Sequence, residues 1–432
     1  MRHILACALF STLAWGSAAR AANFVVNTTL DSTDSNPGNG LCGNTEGFCS
    51  LRAAIQQANA LAGPDTITLG AQSYEVTTVQ NVALGLDEED AAASGDLDVT
   101  SEITITGAGA TATAIEGGGD GTRADRVFHV LPGGDLTLRD LTVRDGQATT
   151  NSATSLGGGI YNQGVLDLAD CVVADNDANA GGGVFNAGTL TVDSCTFSGN
   201  DAEDVAITNA QGGALMSSAT LADVQITAST FSGNSADLAG HAIFVTNGTL
   251  ALENSTLSGN LGSGDAALVI QNADVVLTNT TIVGNSVVGL SAFSFNETNT
   301  LDVANTIVAN NGGNECSISG LSPILTITNS LSSDATCTGF DLPNVNPQLG
   351  SLADNGGPTL THLPLPGSPA IDAGAASPCP DLDQRGAPRP VDGDGDTTAE
   401  CDIGAVEAPE PGALAGGALA LGLVAWLARR RR

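Results

Sequence analysis

Three carboxylates near the C-terminal end of the chain stand on alternate residues, with glycines between them that allow the backbone to turn. They belong to Asp392, Asp394 and Asp396. A hard cation prefers oxygen ligands of this kind, so the turn is a candidate site for Ca²⁺, the one cofactor that the sequence suggests. An EF-hand is excluded because the twelfth position is Ile403, where a bidentate Glu is required. Glu400 and Asp402 could complete a different cage, and a solvated acidic turn is the alternative.

One short pattern recurs along the middle of the chain every 24 to 34 residues: an apolar residue, two small or polar residues, and an asparagine. A period of this size is typical of a solenoid, in which each repeat buries its apolar face only when a neighbour stacks on it. Within one period apolar residues alternate with Thr, Ser and Asp, which predicts three short strands and excludes helical repeats. We therefore expect an all-β chain folded as a right-handed parallel β-helix, a pectin-lyase-like solenoid.

The repeated pattern predicts two columns of residues that run from coil to coil. The apolar residues should stack inward with ~4.8 Å between rungs, and the asparagines should lie at the turn that follows. Asn tolerates positive φ, and its side-chain amide can bond to the amide on the next rung. The predicted apolar stack is Val143, Val173, Phe197, Phe231, Leu257, Ile282, Ile307 and Leu331. The predicted asparagine column is Asn176, Asn200, Asn234, Asn260, Asn285 and Asn310.

Eight of the nine cysteines remain if the N-terminal segment described below, which holds Cys7, is removed. They fall into near neighbours in the sequence: Cys42 with Cys49, Cys171 with Cys195, Cys316 with Cys337, and Cys379 with Cys401. An even number of cysteines in an exported chain indicates disulfides. Cys171 and Cys195 each precede a column asparagine by five residues, so they should point inward on adjacent rungs. For that pair a disulfide and a stack of two buried thiols both remain open.

Residues 1–22 have the pattern of a secretory signal peptide. Arg2 and His3 precede an apolar run from Ile4 to Trp15, and small residues follow. We therefore expect the chain to be exported.

Residues 23–70 contain a short amphipathic segment with Ser50 as a candidate N-cap. One face of the predicted helix is apolar: Leu51, Ala54, Ile55 and Ala58. Such a helix can cover the open end of a solenoid, where a sheet edge would otherwise be exposed. The stretch Cys49-Ser50-Leu51-Arg52-Ala53-Ala54 resembles the CSLREA domain found at the start of many bacterial surface proteins, with Ala53 where that family has Glu. The resemblance implies an N-terminal capping module on a β-helix and brings no known chemistry.

Residues 71–340 should form the coils, whereas residues 341–408 are rich in proline and lack the repeat. The motifs of this second region resemble those of the choice-of-anchor Q domain. They are Asn355-Gly356-Gly357-Pro358-Thr359, Ser368-Pro369-Ala370-Ile371-Asp372, Asp383-Gln384-Arg385-Gly386 and Asp402-Ile403-Gly404-Ala405. The resemblance implies a module that closes the C-terminal end of the β-helix and precedes an anchoring signal.

Residues 409–432 form an apolar tail in which Pro409-Glu410-Pro411 is followed by 17 uncharged residues, 412–428, and then by four arginines. That length is at the lower limit for a helix that crosses a bilayer of ~30 Å, and the arginines would hold its end in the cytoplasm. The tail resembles the PEP-CTERM sorting signal of Gram-negative bacteria that produce exopolysaccharide. The resemblance implies recognition by an exosortase, removal of the helix, and release to or retention at the cell surface. A plain membrane anchor is the alternative.

Acidic residues dominate the charge: 47 Asp and Glu stand against 13 Arg and no Lys, which gives a formal net charge of −34. Electrostatic repulsion therefore excludes nucleic acid and anionic membrane surfaces as partners. Extracellular polysaccharide remains a candidate partner.

Parallel β-helices include enzymes that cleave polysaccharides, so the fold leaves catalysis open. Such chemistry needs a general base and a group that stabilises charge. The predicted coils have no Lys, and their His129 and His241 lie on separate coils without a recognisable motif. The sequence therefore predicts no catalytic residues and favours a non-catalytic surface protein that acts in adhesion or in the extracellular matrix. A polysaccharide lyase or hydrolase on the same scaffold is the alternative.

Overall fold

The computed structural model describes residues 21–78, 90–118, 125–148, 155–203, 210–294, 299–320 and 324–410. Within these ranges the chain winds through 34 strands and one helix. The strands pair in parallel and line up in three long sheets and one short one. Successive coils add one strand to each long sheet, which is the architecture that the repeat predicted.

Sheet A has eleven strands, sheet B ten, sheet C nine and sheet D four. Sheet A consists of Asn23–Val25, Asp65–Thr68, Glu102–Thr106, Asp135–Arg139, Val165–Ala169, Thr189–Asp193, Asp223–Thr227, Thr249–Glu253, Asp274–Thr278, Thr300–Ala304 and Ile324–Thr328. Sheet B consists of Ser73–Glu75, Ala114–Glu116, Thr142–Arg144, Val172–Ala174, Thr196–Ser198, Thr230–Ser232, Thr256–Ser258, Thr281–Val283, Ile307–Ala309 and Leu331–Ser332. Sheet C consists of Leu97–Val99, Phe128–Val130, Ile160–Asn162, Val184–Asn186, Leu215–Ser218, Ile243–Thr246, Ala266–Gln271, Val288–Ser294 and Cys316–Gly320. Sheet D consists of Gln147–Ala148, Asp177–Ala178, Asp201–Ala202 and Ser235–Ala236.

The strands of sheet A show how the sequence builds the interior. In Thr189–Asp193 the side chains of Leu190 and Val192 are fully buried, whereas the residues between and around them face outward. Successive side chains of a strand point to opposite faces, so this alternation places every second residue in the core. The same alternation on each coil produces one continuous apolar core from Phe24 to Phe340.

The predicted apolar stack is confirmed over six coils, from Val143 to Ile282. It is wrong at its last two positions, because Ile282 pairs with Val308 and not with Ile307. Ile307 and Leu331 instead pair with each other on the opposite face and pack against the C-terminal region. This strand is apolar at every position, so the sequence does not reveal which of its side chains point inward.

The asparagine column is a hydrogen-bonded ladder. Each Nδ2 donates to the Oδ1 of the asparagine on the next rung, at 2.8 to 3.0 Å, and most of these Oδ1 atoms also accept a backbone N–H. The expected last member is wrong: Asn285 bonds to Asn311, not to Asn310, because of the same shift by one residue. The expected positive φ is also displaced, since it belongs to the residue before each ladder asparagine. Those residues are Asp175, Gly199, Gly233, Gly259, Gly284 and Asn310.

Three of the predicted disulfides are present: Cys42–Cys49, Cys316–Cys337 and Cys379–Cys401. Cys171 and Cys195 are buried thiols that are not bonded to each other, so the structure supports the second of the two alternatives left open for this pair. They lie in a column of small side chains whose Sγ or Oγ atoms accept the backbone N–H of the preceding rung. Cys171 N–H donates to Cys195 Sγ at 3.4 Å, and Cys195 N–H donates to Ser229 Oγ at 3.0 Å.

The predicted capping helix spans Leu51–Ala60, and the Ser50 hydroxyl caps it. Its residue Arg52 is fully buried, which the sequence did not indicate. The guanidinium pairs with Asp31, at 2.7 Å from Nε to Oδ1, and donates to carbonyls of residues 92–96. Arg52 therefore ties the helix to the first coils.

The C-terminal region lies along the outer face of sheet B, which is more than the closure of one end that the resemblance implied. Thr256 Oγ1 donates to Gln384 Oε1 at 2.6 Å, and Asn279 Nδ2 donates to the carbonyl of Asp402 at 3.0 Å. An apolar cluster lies between the two parts: Ile307, Ala309, Leu331, Ala370 and Ile403. The region is thus bonded to several successive coils.

Two predicted segments fall outside the described residues: residues 1–20 of the expected signal peptide, and the apolar tail 412–428. Within the described ranges, no helix is both long and apolar enough to cross a bilayer.

Candidate functional site

Charged and aromatic side chains converge on the outer face of sheet C, at its first three strands. Asp98, His129 and Tyr161 are direct neighbours in the register of these strands. Because side chains alternate along a strand, all three point away from the core, whereas their neighbours Phe128 and Val130 point into it. We call the group Asp96, Asp98, Asp125, Arg126, His129, Tyr161 and Gln163 the sheet C cluster.

Short polar contacts hold the sheet C cluster together. Arg126 Nη1 lies 2.9 Å from Asp96 Oδ2, and His129 Nε2 lies 3.1 Å from Gln163 Oε1. The imidazole of His129 stacks on Tyr161 with 4.9 Å between ring centroids, and the guanidinium of Arg126 lies 5.5 Å from the same ring.

Burial shifts the pKa values of the cluster toward the neutral forms. The pKa of Asp125 is raised to about 6, chiefly by desolvation and further by the charge of Asp98. Burial lowers the pKa of Arg126 to about 10 and raises that of Tyr161. A carboxyl group whose pKa is raised to about 6 is the kind of group that general acid–base chemistry uses.

Access to the sheet C cluster is poor, however. Arg126 is 4% exposed, His129 5% and Asp98 0%. A general base must reach the proton that it removes, and these side chains are instead engaged with one another and with the first coils. The arrangement therefore fits a structural node beneath the capping helix better than an open catalytic cleft.

Sequence reasoning missed this cluster. It found no recognisable motif around His129, yet Asp98 and Gln163 lie beside that side chain. The residues are separated by about thirty positions along the chain and meet only through the strand register. The short strands Leu97–Val99 and Phe128–Val130, each with one polar residue between two apolar ones, were the available signal.

The second histidine of the coils has a different environment. His241 is fully buried, and neither of its ring nitrogens has a hydrogen-bond partner among the described residues. Burial lowers its pKa.

The acidic turn is rearranged relative to the prediction. Carboxylate oxygens of Asp372, Asp392 and Asp394 lie within 4.8 Å of one another, and Asp396 is not part of this group. Asp402 does not complete the cage, because it is fully buried and its oxygens accept the N–H groups of Asp372 and Ala408. The structure thus brings two of the three predicted ligands together and adds Asp372. Calcium binding here stays a prediction.

Comparison with known proteins bears on the fold. Residues 159–332 match the model of a family described as a right-handed β-helix region. The crystal structure of pectate lyase Pel9A superposes with a TM-score of 0.52 over 91% of this chain and 98% of that chain, at 15% identity. The A-module of mannuronan C-5 epimerase AlgE4 from Azotobacter vinelandii gives a TM-score of 0.35 over 74% of this chain and 96% of that chain, at 18% identity. A search of curated protein sequences finds no match.

The likeness to Pel9A concerns the path of the backbone, since so few residues are identical. It carries no information on activity, because one fold hosts many functions. Together with the parallel sheets and the family match, it shows that the chain is a right-handed parallel β-helix of the pectin-lyase-like kind.

Proposed function

We propose that the protein is an exported β-helix that is displayed on the cell surface or held in the extracellular matrix, where it acts in adhesion without catalysing a reaction. One observation carries the proposal. The described side chains that combine Asp, Arg and His in one place are buried in the sheet C cluster, at 5% exposure or less for Arg126, His129 and Asp98. A polymeric substrate would need an open cleft to reach such groups.

The outer face of sheet A supports the same proposal. It is rich in Thr and acidic residues, and some of these are joined from coil to coil: Thr227 Oγ1 donates to Asp193 Oδ1 at 2.8 Å, and Thr300 donates to Asp274. A flat array of hydroxyl and carboxylate groups can hydrogen-bond to sugar hydroxyls without enclosing them. Extracellular polysaccharide is therefore the proposed partner.

Export and anchoring complete the proposal. The three disulfides suit an oxidising compartment outside the cytoplasm. The apolar tail would hold the chain in the membrane until an exosortase removes it, and the product would remain at the surface of a Gram-negative cell or leave it.

A polysaccharide lyase or hydrolase is the second candidate function. It is favoured by the pKa of about 6 at Asp125, next to Arg126 and Tyr161. The Asp125 carboxyl would be the base and the Arg126 guanidinium the charge stabiliser if the cluster opened.

A depolymerisation screen separates the two functions. The purified full-length chain is incubated with acidic and neutral polysaccharides in the presence of Ca²⁺, and reducing ends and unsaturated products are measured. We expect none. The enzyme would be established, and the non-catalytic proposal overturned, by cleavage that is lost in Arg126→Gln. The exposed control Arg144→Gln should keep that cleavage.

A further inference from the structure

We propose that Asp90, Asp98 and His129 form a binding site for one divalent transition-metal ion, with Zn²⁺ as the reference ion. One potential ligand atom from each residue lies within 4.8 Å of the other two. The site is built on the first coils and is distinct from the acidic turn near the C-terminal end.

Gln163 determines the tautomer of His129. Gln163 Nε2 donates to the Tyr161 hydroxyl at 2.8 Å, which orients the Gln163 amide so that its Oε1 faces His129. Because Oε1 accepts a hydrogen bond, His129 Nε2 carries the proton at 3.1 Å from it. In the neutral ring Nδ1 then holds a lone pair. A metal-binding histidine is commonly oriented in this way by an acceptor on its other nitrogen.

The other ring nitrogen of His129, Nδ1, faces Asp98. This atom is buried, it has no hydrogen-bond partner among the residues that the structure describes, and it lies 3.5 Å from Asp98 Oδ1. If Nδ1 carried a proton and donated it to the Asp98 carboxylate, the nitrogen and the oxygen would be closer, at about 2.8 Å. A nitrogen and an oxygen that bind one tetrahedral Zn²⁺ at normal bond lengths lie about 3.4 Å apart. The observed separation therefore matches two ligands of one ion.

The carboxylates of Asp98 and Asp90 are placed to act as ligands with His129. Asp98 Oδ2 accepts the N–H of Ala92 at 2.7 Å, which turns Oδ1 toward His129. Asp90 is exposed and approaches from the solvent side, so an ion can enter and keep a water ligand. Asp98 and Asp90 each offer one carboxylate oxygen to the site, and these oxygens carry the negative charge that attracts a cation.

The donor set selects the class of metal. One imidazole nitrogen and two carboxylate oxygens suit Zn²⁺, Co²⁺ or Mn²⁺, whereas Ca²⁺ and Mg²⁺ prefer oxygen alone. The same donors and one open position could serve a structural role, since an ion here would join the strands Leu97–Val99 and Phe128–Val130.

The test uses the purified full-length chain after removal of metals with a chelator. Zn²⁺ is titrated by calorimetry, and Co²⁺ is added separately so that its visible absorption reports an imidazole ligand. We expect one ion per chain to bind at micromolar concentration with a Co²⁺ spectrum typical of nitrogen and oxygen ligands. Binding in His129→Gln should be at least about tenfold weaker, whereas the matched control His241→Gln should bind as the wild type does.

Asp90→Asn keeps the test valid if the buried substitution prevents folding, because the Asp90 side chain is exposed. This variant should also bind more weakly while keeping the far-UV circular dichroism of the wild type. The proposal is overturned if the wild type shows no saturable binding, or if His129→Gln and Asp90→Asn both bind unchanged.

Discussion

At the scale of single residues, the two buried thiols act as substitutes for hydroxyl groups. Cys195 Sγ donates to the carbonyl of Asp193 at 3.1 Å, and Ser229 Oγ donates to the carbonyl of Thr227 at 2.7 Å in the same way on the next rung. Each of these side chains also accepts an N–H from the preceding rung. A disulfide would remove the S–H donors, so the column stabilises the reduced form.

Thiol labelling checks this conclusion. We expect no reaction of the folded chain with an alkylating reagent and two labelled residues, Cys171 and Cys195, after unfolding without a reductant. Burial raises the pKa of Cys195, whereas the hydrogen bond with Cys195 lowers the pKa of Cys171. Both thiols are buried, so a reagent cannot reach either of them while the coils are intact. Absence of label after unfolding would show that the pair is oxidised.

Asp177 provides a prediction on pH. Burial raises its pKa from an ordinary value of 3.8 to about 6, and the charge of Asp201 adds to the effect. The folded state therefore binds more protons than the unfolded state between these values, so stability should fall as pH rises through that window. Asp177→Asn should remove this slope and stabilise the fold at neutral pH by about 1 kcal/mol, a figure reduced because the side chain is partly exposed.

Urea unfolding from pH 4 to pH 8 measures the effect. The control is Asp302→Asn, which removes the same charge from the outer face of sheet A and should keep the slope of the wild type. Parallel pH curves for the wild type and Asp177→Asn would contradict the prediction.

At the scale of the element, each rung joins its neighbours through an interior stack. The rings of Phe197 and Phe231 are fully buried and stacked, with 4.6 Å between centroids. Their neighbours on the adjacent coils, Val173 and Leu257, fill the same column. The column is closely packed, so replacing one of these side chains by a smaller one leaves a cavity.

Phe197→Ala and Phe231→Ala should each lower the free energy of unfolding by about 3 to 5 kcal/mol. Val276→Ala is the control, because that side chain is 43% exposed on sheet A and its truncation leaves no cavity. Chemical denaturation of the three variants gives the comparison. A loss below about 1 kcal/mol for both phenylalanines would contradict the interior stack.

The acidic turn is the second element with a testable property. Binding of Ca²⁺ to the folded form only should raise stability by about 1.4 kcal/mol at ten times the dissociation constant, which lies at ~0.1 to 1 mM in extracellular modules. Asp372→Asn combined with Asp392→Asn should abolish the gain, because both carboxylates belong to the group within 4.8 Å.

Asp396→Asn is the matched control for the turn, since the structure leaves this residue outside the group. Calorimetry with Ca²⁺ gives the answer for each variant. Equal binding in all of them would mean that the turn is a solvated loop.

How far the sequence predicts an element depends on its contrast between apolar and polar positions. In Thr189–Asp193 that contrast is complete, and the two apolar residues, Leu190 and Val192, are the buried ones. In Ile307–Ala309 it is absent, so the inward residue was placed one position too early. The sheet C cluster was not predicted. Its members meet through the strand register, and that register depends on the lengths of the two intervening coils.

At the scale of the whole molecule, the capping helix packs on the first coils, whereas the C-terminal region lies along the outer face of sheet B. The N-terminal helix was predicted from its own apolar face. The position of the C-terminal region along sheet B was not, because the motif residue Gln384 gives no hint that its amide bonds to Thr230 and Thr256 more than a hundred positions earlier. Such contacts follow from the folded surface and not from local sequence.

Processing is the prediction that concerns the complete chain. We expect the mature protein to lack both apolar ends, because each has the pattern of a sorting signal. Mass spectrometry of the native product should give a mass that begins near Asn23 and ends before residue 412. A product that still contains residues 412–432 would instead be a membrane-anchored protein.

The asparagine ladder has a consequence for how this molecule can change in length. Its rungs follow one another after 24, 34, 26, 25 and 26 residues, yet the amide-to-amide bonds are the same at every step. Extra residues are therefore accommodated in the loops between strands, while a complete coil is the smallest unit that can be duplicated or deleted with every column kept in phase. Proteins that share this scaffold should differ in length by whole coils. The length of the solenoid along its axis should then vary in steps of ~4.8 Å.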